Sequence, residues 1–169
     1  MMLIDNIEYL RKTNKVIREQ LKQYDNETMD EYRLLQTKNN EYTIEVKTNK
    51  GIRFLHSKYN PAREAQMFVK QFQDEVDENT HVIFYGVGLG YHVKEFLNIY
   101  NIHSYSLYEP IPYLFYQFLS LDKLENIASF QPEQIFLETD FQVTMKEVEQ
   151  FLNSFNRRIL IVTLPSYEQ

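Results

Sequence analysis

Three of the four glycines of this chain lie within five residues, at Gly86, Gly88 and Gly90. They follow an apolar run that predicts a buried strand, and Tyr91 and His92 then open an amphipathic run that predicts a helix. The first N–H groups of a helix are unpaired, and glycine lets an anionic group approach them closely. The pattern therefore predicts either a loop that binds a nucleotide-like ligand or a purely structural turn.

The spacing G-x-G-x-G differs from two common phosphate-binding motifs. It lacks the third glycine of the dinucleotide-binding fingerprint, because Tyr91 follows Gly90, and it lacks the G-K-[ST] ending of a P-loop. It resembles the first motif of class I S-adenosylmethionine-dependent methyltransferases, which hold the ribose with an acid at the end of the next strand. Glu109 is at that place, and the resemblance implies S-adenosylmethionine as the ligand. The sequence departs from this pattern at Phe84, where those enzymes commonly carry an acid, and in "LPSY", which lacks their leading Asn or Asp.

Two further groups of polar residues are secondary candidates for a ligand site. Lys58 and Arg63 flank a predicted helix start, where they could meet an anion or simply belong to a turn that docks the hairpin. Glu138 and Asp140 close a third strand-like run, on the same predicted sheet edge as Glu109. They could bind hydroxyl groups or remain solvated.

The histidines and the absence of cysteine argue against a metal centre. The chain has no Cys and four His, and no two histidines lie at metal-ligand spacing. We therefore predict no metal site and no thiol chemistry, and a cytoplasmic location fits the lack of cysteine.

Charge and hydropathy exclude other classes of protein. The formal charge is −6, so we expect no nucleic-acid surface, which would need a basic face. The N-terminus is not a signal peptide, and no apolar run approaches the length of a membrane helix, so we expect no membrane insertion.

The elements that must position these residues follow from hydrophobic periodicity. Helical spacing over residues 3–23 predicts an N-terminal helix in a helical arm, residues 1–38. Alternation over residues 41–56, with Asn49-Lys50-Gly51 at its centre, predicts a β-hairpin. From residue 81 onward strand-like and helix-like runs alternate, as in a parallel sheet with helices on both faces. The predicted fold is α/β: a Rossmann-like three-layer domain over residues 39–169, preceded by the helix and containing the hairpin.

Three segments together resemble the N-terminal part of the motility accessory factor (Maf) family of flagellin glycosyltransferases. This family contains a domain of unknown function that is related to pterin pyrophosphokinase-like proteins. The first contains Ser57-Lys58-Tyr59-Asn60-Pro61 and Glu64, the second Gly86 to His92, and the third Glu109-Pro110. The resemblance spans about residues 40–165. It implies that the chain is an accessory domain of a longer protein, that catalysis lies beyond Gln169, and that the parent protein transfers a nonulosonic acid from a CMP-activated donor to Ser or Thr of flagellin.

Three hypotheses for function stay open at this point. The first is the accessory domain of a Maf-like glycosyltransferase, whose partners would be flagellin or another domain of the parent chain. The second is a methyltransferase-like domain, so that the ligand would be S-adenosylmethionine rather than a CMP-sugar. The third is a non-enzymatic interaction module that forms a homo-oligomer through the N-terminal helix or the aromatic-rich helix at residues 112–121.

Overall fold

In the computed structural model, which describes residues 1–168, two short helices open the chain. They are α1 (Ile4–Thr13) and α2 (Lys15–Leu21). The single helix predicted over residues 3–23 is wrong in this detail, because Asn14 leaves the helical conformation at φ −155° and its side chain accepts a hydrogen bond from Ile17 N. Asparagine favours such a capping position, so it ends one helix and starts the next.

A three-stranded antiparallel sheet follows, in the order β1-β2-β3. Its strands are β1 (Tyr32–Gln36), β2 (Tyr42–Thr48) and β3 (Gly51–Phe54). The predicted hairpin is β2 and β3, with Thr48 opposite Gly51 across the turn. Strand β1 was not predicted, and it lies inside the stretch assigned to the helical arm, whose boundary at residue 38 stays a prediction.

Helix α3 (Pro61–Val69) joins this sheet to the second half of the chain. The Asn60 side chain accepts a hydrogen bond from Arg63 N, and Pro61 occupies the first turn. Asparagine favours the capping position and proline the first turn, so both residues stabilise this helix start.

The second half alternates strands and helices as predicted. Its elements are β4 (His81–Tyr85), α4 (Tyr91–Ile99), β5 (Ser104–Glu109), α5 (Pro112–Leu121), β6 (Ile135–Leu137), α6 (Phe141–Asn153) and β7 (Ile159–Thr163). The four strands form a parallel sheet in the order β6-β5-β4-β7, which is the 3-2-1-4 order of a Rossmann-like half-sheet.

The parallel sheet is covered on both faces. Phe84 and Leu107 face a large core that also contains Phe96 of α4 and Phe118 of α5. Ile83, Tyr108 and Phe136 face the other side, where α6 packs with residues Met145, Val148 and Phe151. The α/β three-layer prediction is therefore confirmed. None of the helices in residues 1–168 is both long and apolar enough to cross a bilayer.

Candidate functional site

The glycine loop connects β4 to α4 and is packed closely by side chains from three other elements. Gly86, Gly88 and Gly90 have φ of +88°, +54° and +83°. A Cβ on Gly88 would lie 2.7 Å from Nε2 of His56, and a Cβ on Gly86 would overlap the ring of Tyr167. Gly90 meets the ring of Phe118 in the same way, at 2.8 Å. At each of these glycines, a side chain from elsewhere in the protein therefore fills the space that a Cβ would take.

The loop amides bind a carboxylate that belongs to the protein itself. Oε1 of Glu109 accepts hydrogen bonds from Val87 N at 3.1 Å and from Gly88 N at 3.0 Å. Oε2 accepts from Ile111 N at 3.0 Å and from the Tyr167 hydroxyl at 2.8 Å. Glu109 is only 1% exposed. The position that the sequence assigns to a ligand's anionic group thus holds an internal carboxylate.

Burial is the main cause of the shifted pKa values of Glu109 and Tyr167. It raises the pKa of Glu109 to about 7, against the lowering effect of the four hydrogen bonds that the carboxylate accepts. Burial and the neighbouring Glu109 charge raise the pKa of Tyr167 above its ordinary value of 10.0, so that the phenol stays protonated and donates to the carboxylate.

Tyr167 closes the loop from the segment that follows β7. Its backbone N bonds Leu164 O at 2.8 Å in a short 3-10 turn, Pro165–Tyr167. The Ser166 hydroxyl donates to Leu55 O at 3.1 Å, which fixes this turn to the end of the hairpin. The ring of Tyr167 lies against Gly86 and occupies the space that a Cβ on this residue would take.

Two buried histidines, His56 and His92, also bind the backbone of the loop. Nε2 of His56 accepts a hydrogen bond from Leu89 N at 2.9 Å, whereas Nε2 of His92 donates to Gly86 O at 2.9 Å. They are therefore opposite neutral tautomers. Burial lowers the pKa of His56 to about 3 and that of His92 to about 4. Nδ1 of His92 is buried with no hydrogen-bond partner among residues 1–168.

Tyr91 connects the antiparallel sheet to helix α4. Its hydroxyl donates to Tyr42 O at 2.7 Å and accepts from Tyr42 N at 3.0 Å. Tyr42 is the first residue of β2, so this pair ties the antiparallel sheet to the start of α4.

Comparison with known protein families assigns the chain. The family described as "Glycosyltransferase Maf N-terminal domain" matches residues 2–129, about three quarters of the sequence. The chain belongs to this family. The sequence resemblance to the Maf family is thereby confirmed at the level of the domain.

A solved structure gives the same result for the fold. It is described as MAf glycosyltransferase from Magnetospirillum magneticum AMB-1 and superposes with a TM-score of 0.60 at 14% identity. The alignment covers 94% of this chain and 31% of that chain, so the present chain spans less than a third of the length of its structural relative. A search of curated proteins gave no match.

The secondary candidates of this Maf domain lie away from the loop amides. The ammonium group of Lys58 lies over the ring of Phe54 at 4.9 Å. The Arg63 side chain is exposed on the first turn of α3. Neither residue contacts the Glu109 carboxylate, and their role with an anionic ligand stays a prediction.

The two acids at the end of β6 have local structural partners. Oε1 of Glu138 accepts a hydrogen bond from the Tyr108 hydroxyl at 2.7 Å, and Asp140 caps α6 by accepting from Val143 N at 3.1 Å. Residues 1–168 contain no cluster of three or more His, Cys, Asp or Glu side chains that could hold a metal ion.

Sequence reasoning missed two residues that complete the loop, His56 and Tyr167. In the sequence His56 is one of four histidines without a second metal ligand at suitable spacing, and Tyr167 is the last residue of the "LPSY" segment. The signal that could have found them is the cluster of glycines itself. Three glycines in five residues indicate three bulky side chains packed against one loop, in addition to a turn.

Proposed function

We propose that this chain is the accessory N-terminal domain of a Maf glycosyltransferase that acts in the cytoplasm and transfers a nonulosonic acid to Ser or Thr of flagellin. The transfer chemistry lies in another part of the parent protein. One observation carries the proposal: the family of Maf N-terminal domains matches residues 2–129.

The geometry of the glycine loop supports an accessory role over the methyltransferase alternative. A methyltransferase would present its strand-end acid to the ribose of S-adenosylmethionine. In this chain the corresponding Glu109 is buried and accepts four hydrogen bonds from Val87, Gly88, Ile111 and Tyr167. The ring of Tyr167 covers Gly86. Binding of S-adenosylmethionine at the loop would require the Tyr167 ring to move away from Gly86. It would also require Glu109 to give up the hydrogen bonds that it already accepts.

Transfer activity tests the proposal directly. The full-length parent protein is incubated with flagellin and a CMP-activated nonulosonic acid, and the mass of flagellin is measured. We expect a mass increase equal to one or more sugar residues with the full-length protein, and none with residues 1–169 alone. Transfer by residues 1–169 alone would contradict an accessory role, and no transfer by the full-length protein would contradict the activity.

Thermal unfolding distinguishes the accessory-domain proposal from the methyltransferase alternative. A ligand at about 100 times its Kd adds about 2.7 kcal/mol to stability. For a domain of this size that is a rise in Tm of about 5–10 °C. We expect no such rise with S-adenosylmethionine or with CMP, and a rise with S-adenosylmethionine would replace the proposal by the methyltransferase function.

A further inference from the structure

A cavity of about 470 Å³ lies beside the glycine loop, and Tyr167, whose hydroxyl donates to the Glu109 carboxylate, is one of its lining residues. Residues of the antiparallel sheet form one wall, α3 and His92 form a second, and the segment Leu164–Tyr167 forms a third. The volume falls in the range of about 300–1,000 Å³ that is usual for small-molecule sites.

The cavity is placed where ligands bind in open parallel sheets. Such sites lie beyond the carboxyl ends of the strands, at the point where the strand order reverses. In this sheet the order reverses between β4 and β7. Gly86, which follows β4, and Leu164, which follows β7, both lie at this point, and Leu164 lines the cavity.

The lining is mostly apolar and rich in flat rings. Nine of its sixteen residues are aliphatic, proline or phenylalanine, and Tyr32 and Tyr167 add two further rings. Aromatic side chains pack well against a planar ring, in offset or edge-to-face arrangements. The walls therefore favour a flat apolar body.

The lining carries one formal positive charge, on Arg53, and one formal negative charge, on Glu64. Arg53 is its one formally cationic side chain, and this guanidinium forms no ion pair with an acidic side chain in residues 1–168. The imidazoles of His56 and His92 are neutral, because burial lowers the pKa of each far below 7. Glu64 is the acid of the lining, and its Oε1 accepts a hydrogen bond from Ser57 N at 2.9 Å. A ligand with several phosphates would find one cation only.

We infer that this cavity binds a planar aromatic molecule with one acidic group, whose ring packs among the apolar walls and whose acid meets Arg53. The site adjoins the glycine loop and shares His56, His92 and Tyr167 with it, and the inference does not depend on the transfer activity of the parent protein.

Three probes with the same ring and different charge test the inference. They are indole-3-acetate, 3-methylindole and tryptamine, titrated into the ¹⁵N-labelled chain of 169 residues while its amide spectrum is recorded. We expect saturable shifts at the cavity lining and affinities in the order anion, neutral, cation. A partly exposed ion pair with Arg53 makes the anion about fivefold tighter than the neutral ring. Shifts scattered over other surfaces, the reverse order of affinity, or no binding at millimolar concentration would overturn the inference.

Two pairs of variants assign the binding to this cavity. Arg53→Gln should remove the preference for the anion while leaving 3-methylindole unaffected, and Arg53→Lys should keep part of it. Ala65→Phe fills the cavity from α3 and should abolish binding of all three probes, whereas Met67→Phe, on the exposed face of the same helix, should not. Equal binding by Ala65→Phe and the unmodified chain would place the probes elsewhere. The titration of the unmodified chain decides the question even where Ala65→Phe fails to fold.

Discussion

At the scale of single residues, the glycine loop is a site whose occupant is supplied by the protein. Its N–H groups meet Glu109, and its glycines make room for His56, Tyr167 and Phe118. The sequence leaves open a loop that binds a nucleotide-like ligand and a purely structural turn, and in the structure the group that the loop amides bind is the Glu109 carboxyl. Whether an external ligand also reaches Gly86 to His92 stays a prediction.

Gly88→Ala and Gly51→Ala form a matched pair that separates backbone strain from packing. Both glycines have positive φ, at +54° and +123°, but only Gly88 has a neighbour, Nε2 of His56, within 4 Å of an added Cβ. Strain costs each variant about 1–3 kcal/mol. Overpacking adds about 1–3 kcal/mol at Gly88 alone. Urea unfolding measures both losses, and a loss at Gly88 no larger than the cost of strain alone, about 1–3 kcal/mol, would show that His56 does not restrain the loop.

Glu109→Gln tests the protonation of the buried carboxyl. The pKa of this carboxyl is 4.5 in the unfolded chain, whereas burial raises it to about 7 in the folded protein. The folded state therefore binds more protons between these values, so the contribution of Glu109 to stability falls as pH rises through this window. We expect the free energy of unfolding of the unmodified chain to fall by on the order of 3 kcal/mol relative to that of Glu109→Gln between pH 4.5 and 7. Above pH 7 the difference between the two proteins should stay constant. A constant difference from pH 4.5 to 8 would mean that Glu109 is already ionised throughout.

At the scale of elements, the order of strands and helices could be predicted because each β–α unit carries its own periodicity. Strand β1 could not, since its burial is only partial, with Arg33 and Leu34 exposed, and it is fixed chiefly by pairing with β2. The break at Asn14 was missed because the apolar spacing continues through it. The contacts that complete the loop were missed for a different reason: Tyr167 and Glu109 are 58 residues apart, and only the packing of the hairpin and β7 brings them together.

Tyr91→Phe tests how much the contact between Tyr91 and Tyr42 contributes to holding the antiparallel sheet against α4. The variant loses two hydrogen bonds to the backbone of Tyr42, each with a net value of about 0.5–1.5 kcal/mol. We expect lower stability and faster amide hydrogen exchange at Tyr42, with little change in β4 to β7. Tyr59→Phe is the control, because Tyr59 is 56% exposed and its hydroxyl makes no hydrogen bond within residues 1–168. Unchanged exchange at Tyr42 would mean that other contacts hold the sheet.

At the scale of the whole molecule, the N-terminal helices form part of the core of the domain. Leu10 and Leu21 are fully buried in the same cluster as Phe118 of α5. The side chain of Asn6 donates to Leu119 O and Asp122 O, and accepts from Leu124 N. The buried apolar residues of these helices thus face their own chain, and a homo-oligomer through the N-terminal helices or through α5 stays a prediction.

Leu10→Ala and Val16→Ala distinguish a core helix from an assembly arm. Leu10 is 0% exposed, and removing a buried leucine costs about 2–5 kcal/mol. Val16 is 67% exposed on α2, so its removal should change stability by no more than about 0.5 kcal/mol. Unfolding and light scattering are measured on both variants. A core role predicts that Leu10→Ala loses stability and that Val16→Ala changes neither quantity. If instead Val16→Ala lowers the molar mass in solution while stability stays constant, the exposed face of α2 is an assembly surface, and the N-terminal helices serve the fold on one side and a second copy on the other.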